Sequence, residues 1–431
     1  MEKFRIQGLH ISNIGAFQEI NLQFPEKAKE DLAEIHIFSG ENGTGKSTLL
    51  EALVSFDNNG HYLNPKIHRN SDASVQIDFA IKEESKILHI GVYSNRFVKG
   101  KWTGSIFQWE LLNKYYDKIN NYSYSTFDFA FFAYSGYRRL GETVLGAIQE
   151  LSNSPLAHAL NFNQSIDPQT LMQWIANTKT KEALSLAKED RSKAVHYRNS
   201  IARIEKVISE IIDQDISFEL DDSPLAVSIK SDGIKMQFGA LPDGLKSIIS
   251  WIADLLMRMD RLAWSNDTDI FDRHFILFLD EIEVHLHPKW QRKILPAIQK
   301  LFKNAQIFIS THSPFVVGSI DNAWIYKFEK VDGYSKLAGS PILSEDGKSY
   351  RMVLEEVFNV NKQFGIAVEI QLDRFYTLKN AILNGSIEEN RREFSDLAKN
   401  LANQSNELEN IIGMELMQIK KLKGAQFEIT L

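Results

Sequence analysis

Three short stretches of the chain place polar, chemically useful residues directly after an apolar run. The first is Gly40-Glu41-Asn42-Gly43-Thr44-Gly45-Lys46-Ser47, which fits the pattern G-x-x-x-x-G-K-[ST]. It lies between a strand expected over Glu34–Phe38 and a helix expected from Ser47 onward, the setting in which such a loop wraps phosphate. Glycines let the backbone turn successive N–H groups, and the N-terminus of the helix, toward an anion. In that arrangement Gly40, Asn42, Gly43, Thr44 and Gly45 line the phosphates and Lys46 reaches the β- and γ-phosphates. The Ser47 hydroxyl ligates Mg²⁺, and Thr48 is a neighbouring donor.

The second stretch is Phe275-Ile276-Leu277-Phe278-Leu279-Asp280-Glu281, an apolar run that ends in two carboxylates. A buried parallel strand that delivers Asp at its C-terminal end stands where α/β sheets place ligand chemistry. Asp280 is expected to hold Mg²⁺ through a coordinated water, and Glu281 to orient and deprotonate an attacking water. The third stretch, Phe308-Ile309-Ser310-Thr311-His312-Ser313-Pro314, is another strand with a polar tip, and His312 is the candidate to touch the γ-phosphate and hold the water. Glu283, His285, His287 and Pro288 follow the carboxylates at once. On a strand, His285 and His287 would share one face and offer two metal ligands; a loop beside the nucleotide is the competing reading, favoured because no third ligand is evident.

These motifs need a scaffold, and the apolar spacing supplies one. Phe4–Ile11, Glu19–Phe24 and Glu34–Phe38 read as strands, as do Val75–Ala80, Ile87–Val92 and Ile106–Leu111, whose period of two suits an antiparallel sheet with one wet face. Residues 146–213 read as helical. The segment Arg191–Asp213 carries one apolar face, with no return helix of similar length and no sustained heptads, so a packed helical subdomain is expected rather than a long arm. Strands return at Ile216–Leu220, Leu225–Lys230 and Ile234–Phe238, with Ser231-Asp232-Gly233 as a hairpin turn. A helix over Leu245–Arg261, the acidic strand, a helix over Lys289–Phe302 and a strand over Gln306–Ile309 complete an α/β core. The expected organisation is an N-terminal lobe (1–145), a helical insertion (146–215), a C-terminal lobe (216–330) and a mainly helical region (331–431).

The 431 residues are 43% hydrophobic and 24% charged, with no cysteine, which excludes disulfides, thiolate chemistry and Cys-based metal centres. A net charge of −7 argues against nucleic-acid binding by bulk electrostatics and leaves DNA contact to a local patch. Residues 1–11 lack the pattern of a signal peptide and the most apolar windows are too short to span a bilayer, so a cytoplasmic protein without a membrane contact is expected.

His10–Phe17, the phosphate loop, Leu241-Pro242-Asp243-Gly244, Leu279–Pro288 and Ser310–Pro314, in that order, resemble the ABC-type ATPases of the Rad50/SMC/RecF and OLD branch. The resemblance spans residues 1 to about 330. It implies a P-loop ABC-type head: a mixed sheet core with an antiparallel β lobe, an inserted helical subdomain and a helical C-terminal region. It also implies a Mg-dependent ATPase whose heads form a homodimer or higher oligomer around ATP, with Asp243 and Gly244 opening a helix toward the γ-phosphate of the partner. Pro242 departs from the serine most relatives carry, so the usual hydroxyl contact is missing; without the resemblance, 241–244 is a turn before a helix. Gln76 falls within a strand and is not assigned a metal-sensing role. Tyr134–Arg139 resembles a tyrosine–arginine segment of bacterial defence ATPases, in which Arg138 and Arg139 approach nucleotide or a partner; a solvated basic turn reads equally well.

Transporter ATPases have a shorter interval between the two core motifs than the insertion from about Val75 to Phe238 here. Size and motif style resemble the ATPase subunits of Septu, PARIS and some retron systems. No D-x-D nuclease cluster of the OLD type follows residue 330, so a nuclease effector is expected on a separate polypeptide. The alternative is a RecF- or Rad50-like repair ATPase that binds DNA.

Overall fold

The structure, a computed structural model, describes residues 3–68, 71–83, 86–99, 101–107, 125–136, 145–162, 167–345, 347–384 and 387–423. Two compact units divide the chain, 1–358 and 359–431.

In the first unit an antiparallel sheet of five strands is built from β1 (Lys3–Ile14), β2 (Phe17–Gln23), β4 (Ala73–Glu83), β5 (Lys86–Val98) and β6 (Lys101–Phe107), in the order β2-β1-β4-β5-β6. Along β1 the inward residues are Phe4, Ile6, Leu9, Ile11 and Ile14, all buried. That series steps by three at two places, and at the first of them the pairing with β4 shifts register between Ile6 and Gly8, where a bulge absorbs the extra residue. Of the expected strand Ile106–Leu111, residues 106–107 belong to β6 and the others lie outside the described residues.

The second sheet carries the three motifs. Its order is β14 (Tyr334–Leu337), β13 (Ala323–Val331), β3 (Glu34–Gly40), β12 (Gln306–Ser310), β11 (His274–Leu279) and β7 (Phe129–Tyr134), with β15 (Ile342–Leu343) also on β13. From β13 to β7 every pairing is parallel. Every residue of β11 and β7 is buried, as expected of parallel strands covered on both faces. Helices α1 (Lys46–Leu53), α4 (Asp243–Arg261) and α5 (Pro288–Leu301) provide cover: Trp251 of α4 meets Tyr134, and Phe302, just beyond α5, meets Phe275 edge-on at 5.2 Å. The two sheets meet through rings, Phe4 stacking on Phe129 at 4.6 Å.

Two helical expectations need correction. Residues 145–162 form turns rather than helix, because their carbonyls are taken by other partners: Arg258 donates to Pro155 O and Ala157 O, and Ala133 N donates to Ala159 O. Helix begins at α2 (Pro168–Ala187), where Asp167 caps Gln169 N and Pro168 occupies the first turn. A return helix of similar length does exist: α2 has 20 residues and α3 (Arg191–Ile212) has 22, and they pack as a hairpin. Residues 171–176 of α2 are buried all round, so no single apolar stripe marks it in the sequence. The hairpin packs on α4, and a three-stranded sheet of β8 (Ile216–Asp222), β9 (Leu225–Ser231) and β10 (Ile234–Gln237) follows it. Asp232 and Gly233, both at positive φ, make the β9–β10 turn.

The second unit is a bundle of three helices, Ile366–Leu383, Ile387–Ala402 and Asn406–Lys423, around Phe375, Ile382, Phe394, Leu401, Ile412 and Ile419. Phe375 and Phe394 stack at 4.7 Å. Among the described residues no helix is long and apolar enough to cross a membrane.

A buried polar network fastens β1 to the parallel sheet. Arg5 grips both carboxylate oxygens of Glu34 at 2.5 and 3.2 Å and also donates to Phe24 O. Gln306 exchanges two hydrogen bonds of 2.8 Å with the backbone of Ile6 and donates to Glu34. Burial alone would push the Glu34 carboxyl up, but Arg5 and His36 outweigh it and hold it down to about 2. Because the folded value lies below the ordinary one, this contribution to stability is complete above pH 4.5 and is lost as pH falls toward 2. Arg5→Ala, which strands the buried carboxylate, is expected to cost about 3–5 kcal/mol in urea unfolding at neutral pH. Its deficit against wild type should narrow as the pH is lowered through that window.

Candidate functional site

The phosphate loop leaves β3 at Gly40 and enters α1 through Gly45, whose φ is 86°. A Cβ at Gly45 would lie 2.6 Å from the Phe17 ring, and one at Gly40 would lie 2.5 Å from Phe328 O. Only glycine fits at either place. Thr44 Oγ1 donates to Glu41 O at 2.8 Å and closes the loop, while Glu41, Asn42 and Gly43 are exposed on its rim. Lys46 is buried at the centre, its ammonium donating to Gly40 O and Glu41 O, each at 2.9 Å. Burial pushes this ammonium down to about 8 against the pull of Asp280, Glu283 and Glu281. It is thus a cation held among neutral carbonyls, a setting that an anion would improve.

Three strand ends close on this loop. Ser47 Oγ donates to Asp280 Oδ1 at 3.1 Å. Ser310 Oγ, fully buried at the tip of β12, donates to the same Asp280 oxygen and accepts from Glu281 N at 2.9 Å. Asp280 N donates to Tyr134 O at 2.9 Å, which brings in the end of β7. Glu281 has a positive φ of 46°, and a Cβ on Gly136 would stand 2.8 Å from its Oε2. Glu283 then clamps the next strand tip, accepting from Thr311 Oγ1 at 2.8 Å and His312 N at 2.5 Å. Burial lowers the pKa of His312, Lys46 lowers it further and Asp280 opposes them. The neutral imidazole that results suits a hydrogen-bonding role beside phosphate better than a cationic one.

Lys46, Ser47, Asp280, Glu281 and His312 are therefore brought together. Thr48 is turned elsewhere: its side chain packs on Gly15 and lies 3.5 Å from Lys66 Nζ. Asp243 and Gly244 also stand apart from the loop of their own chain. Gly244 is buried where a Cβ would sit 2.7 Å from His285 O, and Asp243 is exposed on a helix whose start has no side-chain cap. His285 and His287 occupy a turn rather than a strand, and His287 Nδ1 caps Lys289 N at 3.2 Å. Among the described residues no group of three or more His, Asp or Glu could hold a metal ion by itself. The Ser47 hydroxyl and Asp280 carboxylate form a pair of hard oxygen donors, which fits a Mg²⁺ that draws its remaining ligands from phosphate and water.

Three residues with a part in the site had no role from the sequence: Ser310, Glu283 and Gly136. Ser310 ends a strand already marked as chemical and Glu283 stands in the turn just after another, whereas Gly136 follows β7, a strand that the apolar spacing did not mark. Tyr134 is an anchor, its hydroxyl donating to the buried Asp254 at 2.8 Å. Gln76 turns its amide to Asp78 within β4. Arg138 and Arg139 lie outside the described residues.

Fold and site together resemble an ABC-type ATPase head of the Rad50/SMC/RecF/OLD branch. Residues 8–216 match the family described as "AAA domain", and residues 148–318 match "AAA domain, putative AbiEii toxin, Type IV TA system". The chain is similar to "Retron Vc95 probable ATPase" of Vibrio cholerae serotype O1 biovar El Tor, 23% identical over 406 residues that span 80% of this chain and 77% of that protein. It is also similar to "Septu protein PtuA" of Bacillus thuringiensis, 24% identical over 330 residues and 72% of each chain. A solved SMC head domain from Thermotoga maritima superposes with a TM-score of 0.42 at 13% identity, covering 78% of this chain and 99% of that one.

Gly136→Ala places a methyl group against the Glu281 carboxylate. It is expected to lower ATP turnover by about tenfold or more, because it shifts that carboxylate by on the order of an ångström, while the nucleotide dissociation constant stays within about threefold. Steady-state turnover and equilibrium binding on the same preparation check this.

Proposed function

We propose that the chain binds and hydrolyses ATP as the ATPase subunit of a bacterial antiphage defence assembly that controls a nuclease carried by another polypeptide. The observation that carries the ATPase reading is the convergence of Ser47, Asp280, Glu281 and Ser310 beside Lys46. Relatives named for retron and Septu systems support the defence context.

In this reading the loop amides and Lys46 bind the β- and γ-phosphates, and burial of Lys46 makes its charge count for more than it would in water. Ser47 and Asp280 would hold Mg²⁺, which supplies charge neutralisation at the phosphates when bound. Glu281 orients a water for attack on the γ-phosphorus and takes its proton, with its backbone pinned by Ser310 and its side chain confined by Gly136. His312, fixed through its N–H on Glu283, steadies the γ-phosphate and that water. Two heads close on ATP in trans, the uncapped start of α4, with Asp243 exposed and Gly244 buried behind it, facing the partner's γ-phosphate. Loss of that phosphate then changes the packing of heads and effector.

The test compares wild type and Glu281→Gln for ATP binding, turnover and particle mass, with and without DNA. Glu281→Gln should retain ATP, lose turnover by about 10²-fold or more, and accumulate a heavier ATP-bound assembly. Normal hydrolysis by Glu281→Gln would remove Glu281 from its role, and a wild type that binds no ATP would end the site assignment. Purification from the native genetic context without a copurifying nuclease would count against the defence partner, and turnover that depends on DNA would favour a repair ATPase.

A further inference from the structure

Lys46, Ser47, Asp280, Glu281 and His312 all address phosphates, which leaves the base end of the nucleotide without a partner. Sheet topology says where that end must lie. Strand β3, which carries the loop, has β12 on one side and β13 on the other. Asp280, Glu281 and His312 all arrive from the β12 and β11 side, so the terminal phosphates lie there. The sugar and base must leave toward β13.

On that side the β13–β14 hairpin runs along the loop. The Lys330 ammonium is 3.0 Å from the position a Cβ would take on Gly43, and among the described residues it makes no hydrogen bond or ion pair. Ser335 N, just past the hairpin turn, donates to Ala16 O at 2.8 Å. Ala16 in turn has its Cβ 3.1 Å from the Cβ position of Gly45. Gly15 packs on Thr48, and Gly15 O is hydrogen-bonded to His68 Nε2 at 2.9 Å. The His68 ring then lies 5.8 Å from the ring of Tyr334, which is 38% exposed at the hairpin tip. The exposed Tyr334 ring, the half-buried His68 ring beside it and an unpaired ammonium thus form one wall beside Gly43, Gly45 and Thr48, on the opposite flank from the acidic strand end.

We propose that this wall is the base-side half of the nucleotide site: Tyr334 and His68 stack on the nucleobase, and Lys330 pairs with the phosphate charge nearer the sugar. The proposal rests on the ATP-binding reading above. A nucleobase would cover aromatic surface that water now wets, and stacking of this kind tolerates any base while favouring the larger purines.

Calorimetric titration with ATP and with inorganic tripolyphosphate separates base from phosphate contacts, using the full chain and the variants Tyr334→Ala, Tyr334→Phe and Lys330→Ala, with melting temperatures as a folding control. Tyr334→Ala should weaken ATP by about tenfold and leave tripolyphosphate within about twofold, and Tyr334→Phe should recover ATP affinity. Lys330→Ala should weaken both ligands. Equal loss of both ligands in Tyr334→Ala, or unchanged ATP binding, overturns the base contact. A wild type that binds neither ligand instead overturns the phosphate-loop reading beneath it, so the two failures are distinct.

Discussion

The site depends on the parallel, in-register pairing of β3, β12, β11 and β7. Ser310 stands opposite Phe38, Leu279 opposite Ile309, and Leu279 again opposite Tyr134. Parallel strands finish at the same edge of the sheet and lie about 4.8 Å apart. The residues that follow them, Gly40 onward, Thr311 onward, Asp280 onward and Ser135 onward, therefore emerge in a row. A hydroxyl on one tip then reaches a carboxylate on the next, which is how Ser310 comes to hold Asp280 and receive the amide of Glu281. Full burial of β11 and β12 keeps that register, since a slip would leave ladder groups unpaired in a dry core.

Charge is arranged along the same edge. Lys46 is the cation at the centre of the loop, and the carboxylates of Asp280, Glu281 and Glu283 face it across a short gap. None of them is given to Lys46 as a close ion pair; Asp280 is occupied by two serine hydroxyls and Glu283 by Thr311 and the His312 amide. Phosphate and a divalent cation can enter between the two sides without first breaking a salt bridge. Burial, and then the ammonium that shares the gap, disfavour the charged form of His312.

Rigidity behind the site comes from groups that never approach a nucleotide. The Arg5–Glu34–Gln306 network fixes β1 against β3 and β12, so the turn at Gly15–Phe17 is carried to the flank of the loop as one body with the sheet. Tyr134, bonded to Asp254, ties the other flank to α4, and Asp254 is held in turn by Arg258 at 2.6 Å. The left-handed backbone at Glu281 survives because its neighbours determine it: the amide is taken by Ser310 and the side chain is confined by Gly136.

The sequence by itself determined the candidate motifs and the three strands that carry them, β3, β11 and β12. The loop at 40–47, the acidic end of β11 and the polar tip of β12 are each contiguous, and local spacing alone marks a turn that needs glycine or a strand buried on both faces. Gly45 and Lys46 could be assigned because the physics that requires them acts within a few residues. What tertiary structure alone decided has partners far apart in the chain. Ser310 matters because Asp280 lies one strand away, Gly136 because Glu281 fills the space its side chain would need, and Thr48 turns from the acidic residues because Gly15 and Lys66 receive it. Pro168–Ala187 lies within the stretch that reads as helical, yet its pairing with the next helix is not legible for a related reason, since burial on every side of residues 171–176 erases the one-faced periodicity of a packed helix. Residues 145–162, with helix-like composition, gave their carbonyls to Arg258 and to β7 instead. Local pattern reports what a segment can do; which of those options it takes is set by the neighbours that folding delivers.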